Sequence, residues 1–406
     1  MSRSPHLPRM GRRGLLLGLT ALAVSGGSRL AVADAAPPPS AEGRDPRLVV
    51  ILLRGAMDGL HVLVPYGDPD YATLRAGIAL PEPGREGGVL DLGGRFGLNP
   101  ALPSFHRLYG QNELLPIHAI AGAYRTRSHF DAQDLMESGA LERLDSGWLN
   151  RALAPLDAPS RASRAGLVLG LDLPLLMRGP ERIGMWVPPR TARPEPDLYA
   201  RIAEMLHDDP VIGPNIIDGL RGRGYAAEAL AMGAPLQQEG GFMRLAAAGG
   251  RMLAQPDGPR VAALEVGGWD THSAQIERIT PVLTQLDRGM AALRAQLGEA
   301  WAQTAVLCIT EFGRTAAVNG NGGTDHGTGG AAFLAGGAVA GGRVLADWPG
   351  LTRDALFENR DLRPTRDLRA IAKGLLRDHL RLHPDAVAAA FPDSGSVAPE
   401  AGLLRA

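Results

Sequence analysis

The sequence predicts an α/β fold with a mostly parallel central sheet and helices on both faces. The chain has 406 residues, enough for one large α/β domain or two ordinary domains. Several short segments are apolar without alternation, which is typical of strands that are covered on both faces. Segments with helical periodicity lie between these apolar runs, and such an alternation indicates the α/β class.

Each predicted strand is a short and mostly apolar segment, and the first of them is apolar at every position. The five runs are Leu48–Leu53, Leu114–Ile120, Val261–Val266, Thr304–Thr310 and Ala331–Ala335. Helices are predicted from periodic apolar positions at Phe130–Ala140, Ala274–Leu297 and Leu368–Leu380. Because these segments are mostly apolar and do not alternate with polar residues, we expect helices to cover both faces of the sheet.

The first 33 residues are predicted to be an export signal. They contain five arginines and no acidic residue, and the Arg12-Arg13 pair precedes an apolar segment too short to span a bilayer. The segment Ala31-Val32-Ala33 fits the small-residue cleavage pattern of a signal peptidase. A twin arginine in this position is typical of twin-arginine export, so we expect a periplasmic or secreted protein. An ordinary secretory signal would imply the same location.

The rest of the chain is predicted to be one domain. Residues 34–46 are a Pro-rich linker, and residues 47–406 form a single α/β domain. The stretch 194–253 has no strong strand signal and is predicted to be a helical insertion. No later apolar run reaches the roughly 18 residues of a membrane span, so no transmembrane segment is expected in the mature protein.

Composition excludes several classes of protein. The 42 basic and 43 acidic residues give a net charge of −1, which argues against a nucleic-acid-binding protein. Cys308 is the only cysteine, so an intramolecular disulfide and a Cys-rich zinc site are excluded, and we expect it to be a buried small apolar residue. Lys373 is the only lysine and no P-loop sequence occurs, which argues against Schiff-base chemistry and P-loop phosphate binding.

Acidic and histidine residues follow the predicted strands. They lie in the segments RGAMDG (54–59), YRTRSH (124–129), GGWDTH (267–272), EFGR (311–314) and GGTDHG (322–327). Ligands of open α/β sheets bind beyond the carboxyl ends of the strands, so these segments are expected to meet at one edge. The repeated placement of Asp, Glu and His there is the most specific signal in the sequence.

This pattern predicts a site for one or two divalent metal ions. The candidate ligands are Asp58, Asp270, His272, Glu311 and His326. Carboxylate oxygen and imidazole nitrogen suit zinc, manganese, magnesium or calcium. Asp270 and His272 are two residues apart, so in extended chain they face the same side and could share one ion. Asp58 and Glu311 could hold a second ion beside the first, and two metals can clamp the oxygens of an in-line displacement.

Ser128 is the candidate nucleophile. It lies at a predicted helix start, where the helix dipole and a metal would favour its alkoxide. The nearby arginines Arg125, Arg127 and Arg314 could then hold the oxygens of a phosphoryl or sulfuryl group.

Purely structural roles are also consistent with these residues. Ser128 with Asp131 three positions later is a good helix N-cap, and Asp58 or Asp270 taken alone is a common turn residue. Arg314 could pair with Glu311. Asp325 could orient His326 instead of binding metal itself.

The motifs resemble a known bacterial family. They are LLRGAMDGLHVLVPYGDPDYATLR, TRSHFDAQDLMESG, GGWDTHS, TEFGRT, GGTDHGTGG and GGRVLADWPGL. Together they resemble the family called domain of unknown function 1501, over nearly the whole chain from about Pro46. The resemblance implies twin-arginine export and membership of the alkaline phosphatase-like superfamily of phosphatases, sulfatases, phosphodiesterases and metal-dependent mutases.

The resemblance also implies roles for individual residues. Asp58 matches the first-strand aspartate that ligates one metal, and Ser128 falls where the superfamily keeps its nucleophile. Asp270 and His272 match the loop that holds the other metal. Glu311 falls where an Asp-His pair is usual, and His326 matches the late His-Gly ligand.

This sequence departs from that superfamily at two positions. Asp270 and His272 are two apart, whereas the usual spacing is four. Glu311 is followed by Phe312, so one imidazole is missing, and either His129 replaces it or a single metal binds. No Cys/Ser-x-Pro-x-Arg sequence is present, which disfavours a sulfatase.

The sequence therefore favours an exported metal-dependent hydrolase of phosphate or related esters, with a small-molecule or envelope-associated substrate. The alternative is a catalytically inactive cell-envelope binding protein on the same scaffold. A metal-free serine esterase that uses Ser128 and His129 ranks last, because adjacent side chains on a helix rarely reach each other.

Overall fold

A central eight-stranded sheet organises the part of the chain that the computed structural model describes, residues 44–156, 165–188, 219 and 241–405. The order of its strands is β11-β5-β10-β9-β1-β8-β6-β7, and β2, β4 and β3 form a small second sheet. The strands are β1 Arg47–Arg54, β2 Leu63–Val64, β3 Leu90–Asp91, β4 Gly97–Leu98, β5 Leu114–Ala121, β6 Gly166–Leu169, β7 Ile183–Trp186, β8 Val261–Gly267, β9 Thr304–Ile309, β10 Gly330–Ala335 and β11 Arg366–Asp367.

Helices lie between the strands, as the alternation predicted. They are α1 Gly59–Val62, α2 Tyr71–Leu74, α3 Pro103–Gly110, α4 His129–Ser138, α5 Trp148–Arg151, α6 Gly241–Ala254, α7 Gln275–Leu297, α8 Leu368–Gly374 and α9 Pro384–Ala390. A π-helical turn, Leu375–His379, extends α8 to nearly the predicted end. The predicted export signal and residues 194–240 of the predicted insertion, except 219, lie outside the described residues.

The sheet is mostly parallel, which confirms the predicted fold class. Strand β1 pairs in parallel with both β8 and β9. Strand β10 is the exception, since it pairs antiparallel with β5 and β9. As a result β10 begins at the edge where β1, β5, β8 and β9 end, and the loop before β10 arrives at that same edge.

The sheet is buried on both faces by apolar side chains. Val49, Ile51 and Leu53 of β1 face one core, which is completed by α6 and α7, and the alternate residues face a second core that includes α5, α8 and α9. Each of these β1 side chains is fully buried, which contributes roughly 1.5–3 kcal/mol per residue. Cys308 in β9 is also fully buried, as expected of a small apolar residue, and burial raises the pKa of its thiol.

All five predicted strands are present, but the sequence missed the short ones. Strands β6 and β7 have four residues each and β11 has two, which is too few for a pattern of apolar residues to stand out. We find no helix in the described part of the chain that combines the length and the apolar character needed to cross a membrane.

His118 in β5 makes the fold sensitive to acid. Its Nε2 donates to the Leu63 carbonyl at 2.8 Å, and its Nδ1 accepts from the Ala119 amide at 2.9 Å, so the neutral ring is fully bonded. Burial lowers the pKa of His118 to about 4. In the unfolded chain this histidine binds a proton below about pH 6.5, whereas in the folded chain it stays neutral until about pH 4. The free energy of unfolding therefore falls as the pH drops from about 6.5 towards 4.

We expect this residue to contribute about 1.4 kcal/mol per pH unit to that fall. Urea denaturation across this pH range should show a shallower pH dependence for His118→Gln than for the natural protein. The same change at the exposed His383 serves as the control. An unchanged slope in His118→Gln would contradict the assignment.

Candidate metal centre

Four polar side chains converge at the carboxyl edge of the sheet. His129 opens α4, Asp270 and His272 lie in the loop after β8, and His326 lies in the loop before β10. The Nε2 atom of His326 lies 3.0 Å from Nε2 of His129 and 3.0 Å from Nε2 of His272. Oδ1 of Asp270 lies 3.0 Å from Nε2 of His272, 3.3 Å from that of His326 and 3.6 Å from that of His129.

These side chains meet because two loops turn sharply. After β8, Gly268 adopts a φ of +98°, a conformation that residues with a Cβ rarely take, and the buried Trp269 then anchors the loop. In the other loop, a Cβ on Gly327 would lie 2.4 Å from the Arg314 backbone, so only glycine lets His326 approach that segment. The antiparallel start of β10 then directs His326 to the shared edge.

The second ring nitrogen of each histidine is held by an acceptor. Nδ1 of His129 bonds Oε1 of Glu311 at 2.8 Å, and Nδ1 of His272 bonds Oδ1 of Asp325 at 3.1 Å. Nδ1 of His326 donates to the Arg127 carbonyl at 3.0 Å. Because a carbonyl or an ionised carboxylate only accepts, each neutral ring carries its proton on Nδ1. The Nε2 lone pair of His326 therefore lies against those of both His129 and His272.

The ionisation of the carboxylates supports this assignment. Burial alone would raise the pKa of Glu311, but hydrogen bonds from His129 and Gln133 hold it below its usual value. The hydrogen bond from Asn319, and then that from His272, lower the pKa of Asp325 despite some burial. Both groups are thus anionic at neutral pH. Such carboxylate–histidine pairs are typical of residues that orient metal-binding imidazoles.

The pKa values of two of the imidazoles are shifted in opposite directions. The hydrogen bond to Glu311 raises the pKa of His129, whereas burial and then the charge of His129 lower the pKa of His326. Two unprotonated Nε2 atoms 3.0 Å apart repel each other, so in the absence of a metal ion a proton must lie between them. The donor set therefore fits a divalent ion, and the ligand atoms of His129, Asp270 and His326 all lie within 4.8 Å of one another.

Arg314 holds Asp270 in place. Its Nη1 donates to Oδ1 of Asp270 at 2.6 Å, and it also bonds the side chain and carbonyl of Thr324. Burial would raise the pKa of Asp270, but the hydrogen bond and charge of Arg314 lower it. This differs from the predicted grip on substrate oxygens and from the alternative pairing with Glu311.

The other two arginines also differ from the prediction. Arg127 is paired with Asp361 and Glu358, and its φ of +64° turns its carbonyl towards His326. Arg125 donates to the carbonyls of Gly122 and Tyr124 in its own loop. Within the described residues, Arg125 is the one of the three that forms no ion pair with a carboxylate.

Asp58 lies in a separate buried network. Its Oδ2 accepts from Arg75 and, at 2.6 Å, from Nε2 of Gln275, while its Oδ1 caps α1 through the Leu60 amide. Burial would raise the pKa of Asp58, but the charge of Arg75 holds it below its usual value. Both oxygens are therefore engaged, which differs from the ligand role predicted for this residue.

Glu311 lies behind His129, whereas the sequence placed Glu311 among the ligands and His129 as its alternative. Glu311 is buried behind His129, where Oε1 also accepts from Gly55 and Gln133 and Oε2 accepts from Thr310. Four hydrogen bonds thus engage Glu311, three of them at Oε1. His129 lies in the imidazole cluster, as one of the two alternatives for the histidine that is missing after Glu311 had it. Asp325 bonds the ring of His272, whereas the sequence suggested that it would orient His326.

Ser128 occupies the N-cap position of α4 without the expected cap bond. Its φ of −96° and ψ of 124° are typical of an N-cap, yet its side chain makes no cap hydrogen bond. Its hydroxyl has no hydrogen-bond partner among the described residues. The residues on either side both contact the imidazole cluster, since His129 is part of it and the Arg127 carbonyl bonds His326.

Comparison with known families identifies the chain. The family described as a protein of unknown function, DUF1501, matches residues 121–391, which contain the whole histidine cluster. The chain belongs to this family. We found no match among curated proteins. Membership thus agrees with the resemblance seen in the motifs and leaves the reaction open.

One solved structure that the chain matches is that of a 2-O GAG sulfatase. It has 10% sequence identity and a TM-score of 0.30, and the match covers 72% of this chain. The chain spans 64% of the length of that sulfatase.

Proposed function

We propose that this protein is an exported metal-dependent hydrolase of phosphate or related esters. One observation carries the proposal: Nε2 of His326 and Oδ1 of Asp270 lie 3.3 Å apart, and each lies 3.0–3.6 Å from the Nε2 atoms of both His129 and His272, while acceptors hold every Nδ1. Such a donor set is built for a cation. The superfamily resemblance of the motifs supports ester hydrolysis as the reaction class.

The spacing favours zinc among the four ions considered. Metal–nitrogen and metal–oxygen bonds of about 2.0–2.1 Å place neighbouring tetrahedral ligands about 3.4 Å apart. The ligand atoms of His129, Asp270 and His326 lie 3.0, 3.3 and 3.6 Å from one another, close to that value. Imidazole suits zinc, whereas magnesium and calcium prefer oxygen ligands. Because Asp58 and Glu311 have other partners, we propose one ion and not two.

The centre is open to solvent on one side. The side chains of Asp270 and His272 are 44% and 45% exposed, whereas that of Glu311 is fully buried. A bound divalent ion would polarise the ester oxygen and stabilise a nearby nucleophilic oxygen. The open side gives a substrate access, and the buried carboxylate keeps His129 correctly oriented.

Ser128 is the proposed nucleophile. Its unpartnered hydroxyl lies at the N-terminus of the ten-residue helix α4, where the backbone amides favour a developing negative charge. Its two neighbours in the chain, Arg127 and His129, both contact the imidazole cluster, so Ser128 lies next to that cluster. The hydroxyl would attack the phosphorus or sulfur atom and release the alcohol, and water would then release the acid from Ser128.

We also propose twin-arginine export, on the strength of residues 1–33. This route carries folded proteins, so the metal would be bound before export and disulfides would not be needed. The single cysteine, buried in β9, is consistent with that order of events.

The test is the Ser128→Ala variant of the mature chain, loaded with zinc. We expect its kcat on p-nitrophenyl phosphate esters to fall by roughly 10³-fold, because the attacking oxygen is lost while the metal ligands remain. Metal content, measured by elemental analysis, should be unchanged. Thr126→Ala, in the same loop, is the control.

The same assay distinguishes the alternative. A protein that binds zinc stoichiometrically yet hydrolyses none of these esters would support the inactive envelope-binding protein. Full activity in Ser128→Ala would instead mean that water, and not the serine, attacks the ester.

A further inference from the structure

The arginines around the centre are largely neutralised before any substrate binds. Arg314 is paired with Asp270, and its side chain is fully buried. Arg127 is paired with both Asp361 and Glu358. Neither guanidinium can therefore offer a full positive charge to an incoming anion, although arginine pairs are the usual means of binding phosphate dianions.

The centre is also neutral when it holds a divalent ion. Three carboxylates lie in or directly behind the imidazole cluster, those of Asp270, Glu311 and Asp325. Arg314 contributes one positive charge and the ion contributes two. A dianionic group would add two negative charges to this neutral, partly buried cluster, which is costly without compensation.

Arg125 is engaged within its own loop and with Asp367. It donates to the Gly122 and Tyr124 carbonyls, and the nearby carboxylate whose charge acts on it is that of Asp367. A singly charged group adds one negative charge to the neutral cluster and a dianion adds two, so the electrostatic cost of binding is lower for the monoanion.

We propose that the site selects esters that carry a single negative charge, namely phosphodiesters or sulfate esters, over phosphomonoester dianions. This proposal rests on the proposed function for the reaction but predicts a charge preference that can be measured by binding alone. The structure offers a way to alter that preference, because Arg127 is neutralised partly by Glu358, which is 57% exposed.

The decisive variant is Glu358→Gln, which frees part of the charge on Arg127 while the buried Asp361 keeps the side chain in place. We expect the catalytic efficiency on p-nitrophenyl phosphate, relative to that on bis(p-nitrophenyl) phosphate, to rise about fivefold. The assay runs at a pH of about 8, where the monoester is a dianion, since its second pKa is about 6. Glu299→Gln, an exposed change near the opposite edge of the sheet, is the control.

In the natural protein, the diester or p-nitrophenyl sulfate should be preferred at least tenfold over the monoester, after division by the uncatalysed rates. The two monoanions distinguish a phosphodiesterase from a sulfatase. A preference for the monoester, or a ratio that is identical in Glu358→Gln and Glu299→Gln, would overturn the proposal.

Binding measurements test the charge preference independently of the proposed hydrolysis. Calorimetry on the zinc-loaded protein should show tighter binding of dimethyl phosphate than of inorganic phosphate. In Glu358→Gln the difference between these two affinities should be smaller. If no ester is hydrolysed, the hydrolase proposal fails, while this comparison still decides the charge preference. Tighter binding of the inorganic phosphate dianion by the natural protein would refute the preference for monoanions.

Discussion

Replacing His326 with alanine is expected to weaken binding of a divalent ion by more than about a hundredfold. Its Nε2 is central to the cluster, since it lies 3.0 Å from both other imidazole Nε2 atoms and 3.3 Å from Asp270 Oδ1. Losing a direct ligand should cost more than the 10- to 100-fold typical of losing a residue behind it. Elemental analysis and competition with a chelator would measure the change.

Thermal unfolding gives a second measurement. The natural protein should gain thermal stability when zinc is added, because the ion binds only the folded chain, and His326→Ala should lose that gain. His106→Ala, which changes a histidine remote from the cluster, should behave like the natural protein. An ion retained stoichiometrically by His326→Ala would place the metal elsewhere in the molecule.

Replacing Arg75 with methionine is expected to lower the free energy of unfolding by about 3–5 kcal/mol. Arg75 and Asp58 form a fully buried ion pair, and Arg75 also donates to the Thr315 carbonyl at 3.1 Å. Methionine fills much of the same volume but leaves the Asp58 carboxylate buried without its cation. Urea denaturation at neutral pH measures the loss.

Two further variants test the cause of that loss. Without Arg75, burial raises the pKa of Asp58, so acid should relieve part of the penalty by protonating it. The double variant with Asp58→Asn should likewise recover stability. Arg143→Met, which removes an exposed pair with Asp134, should cost no more than about 1 kcal/mol. A loss in Arg75→Met as small as that would disprove the buried-charge explanation.

The sequence was informative about the fold because the main strands are buried on both faces. A run such as Leu48–Leu53 is apolar at every position, so it identifies a central strand without any knowledge of its neighbours. The four-residue β6 and the partly exposed β7 carry no such signal, since neighbouring strands and not their own composition hold them. The antiparallel direction of β10 is likewise absent from its composition.

The site was predicted in outline but not in its inner arrangement. Strand ends gave the correct loops, and the pattern Asp270–His272 correctly indicated two side chains on one side. The role of Asp58 could not be read, because its partners Arg75 and Gln275 are brought to it by α2 and α7. The positions of Glu311 and His129 could not be predicted either, because they depend on which of these two contacting side chains is buried more deeply in the folded chain.

The sequence alone determined the α/β class, the central strands and the loops that carry acids and histidines, because these depend on local composition and periodicity. Only the tertiary structure decided which side chains meet and which are already paired. It brought His129 and His272 against His326 and Asp270, and it neutralised Arg127 and Arg314 with carboxylates from distant segments. Charge pairing and lone-pair direction depend on distances of a few ångströms, and those distances arise only when the chain has folded.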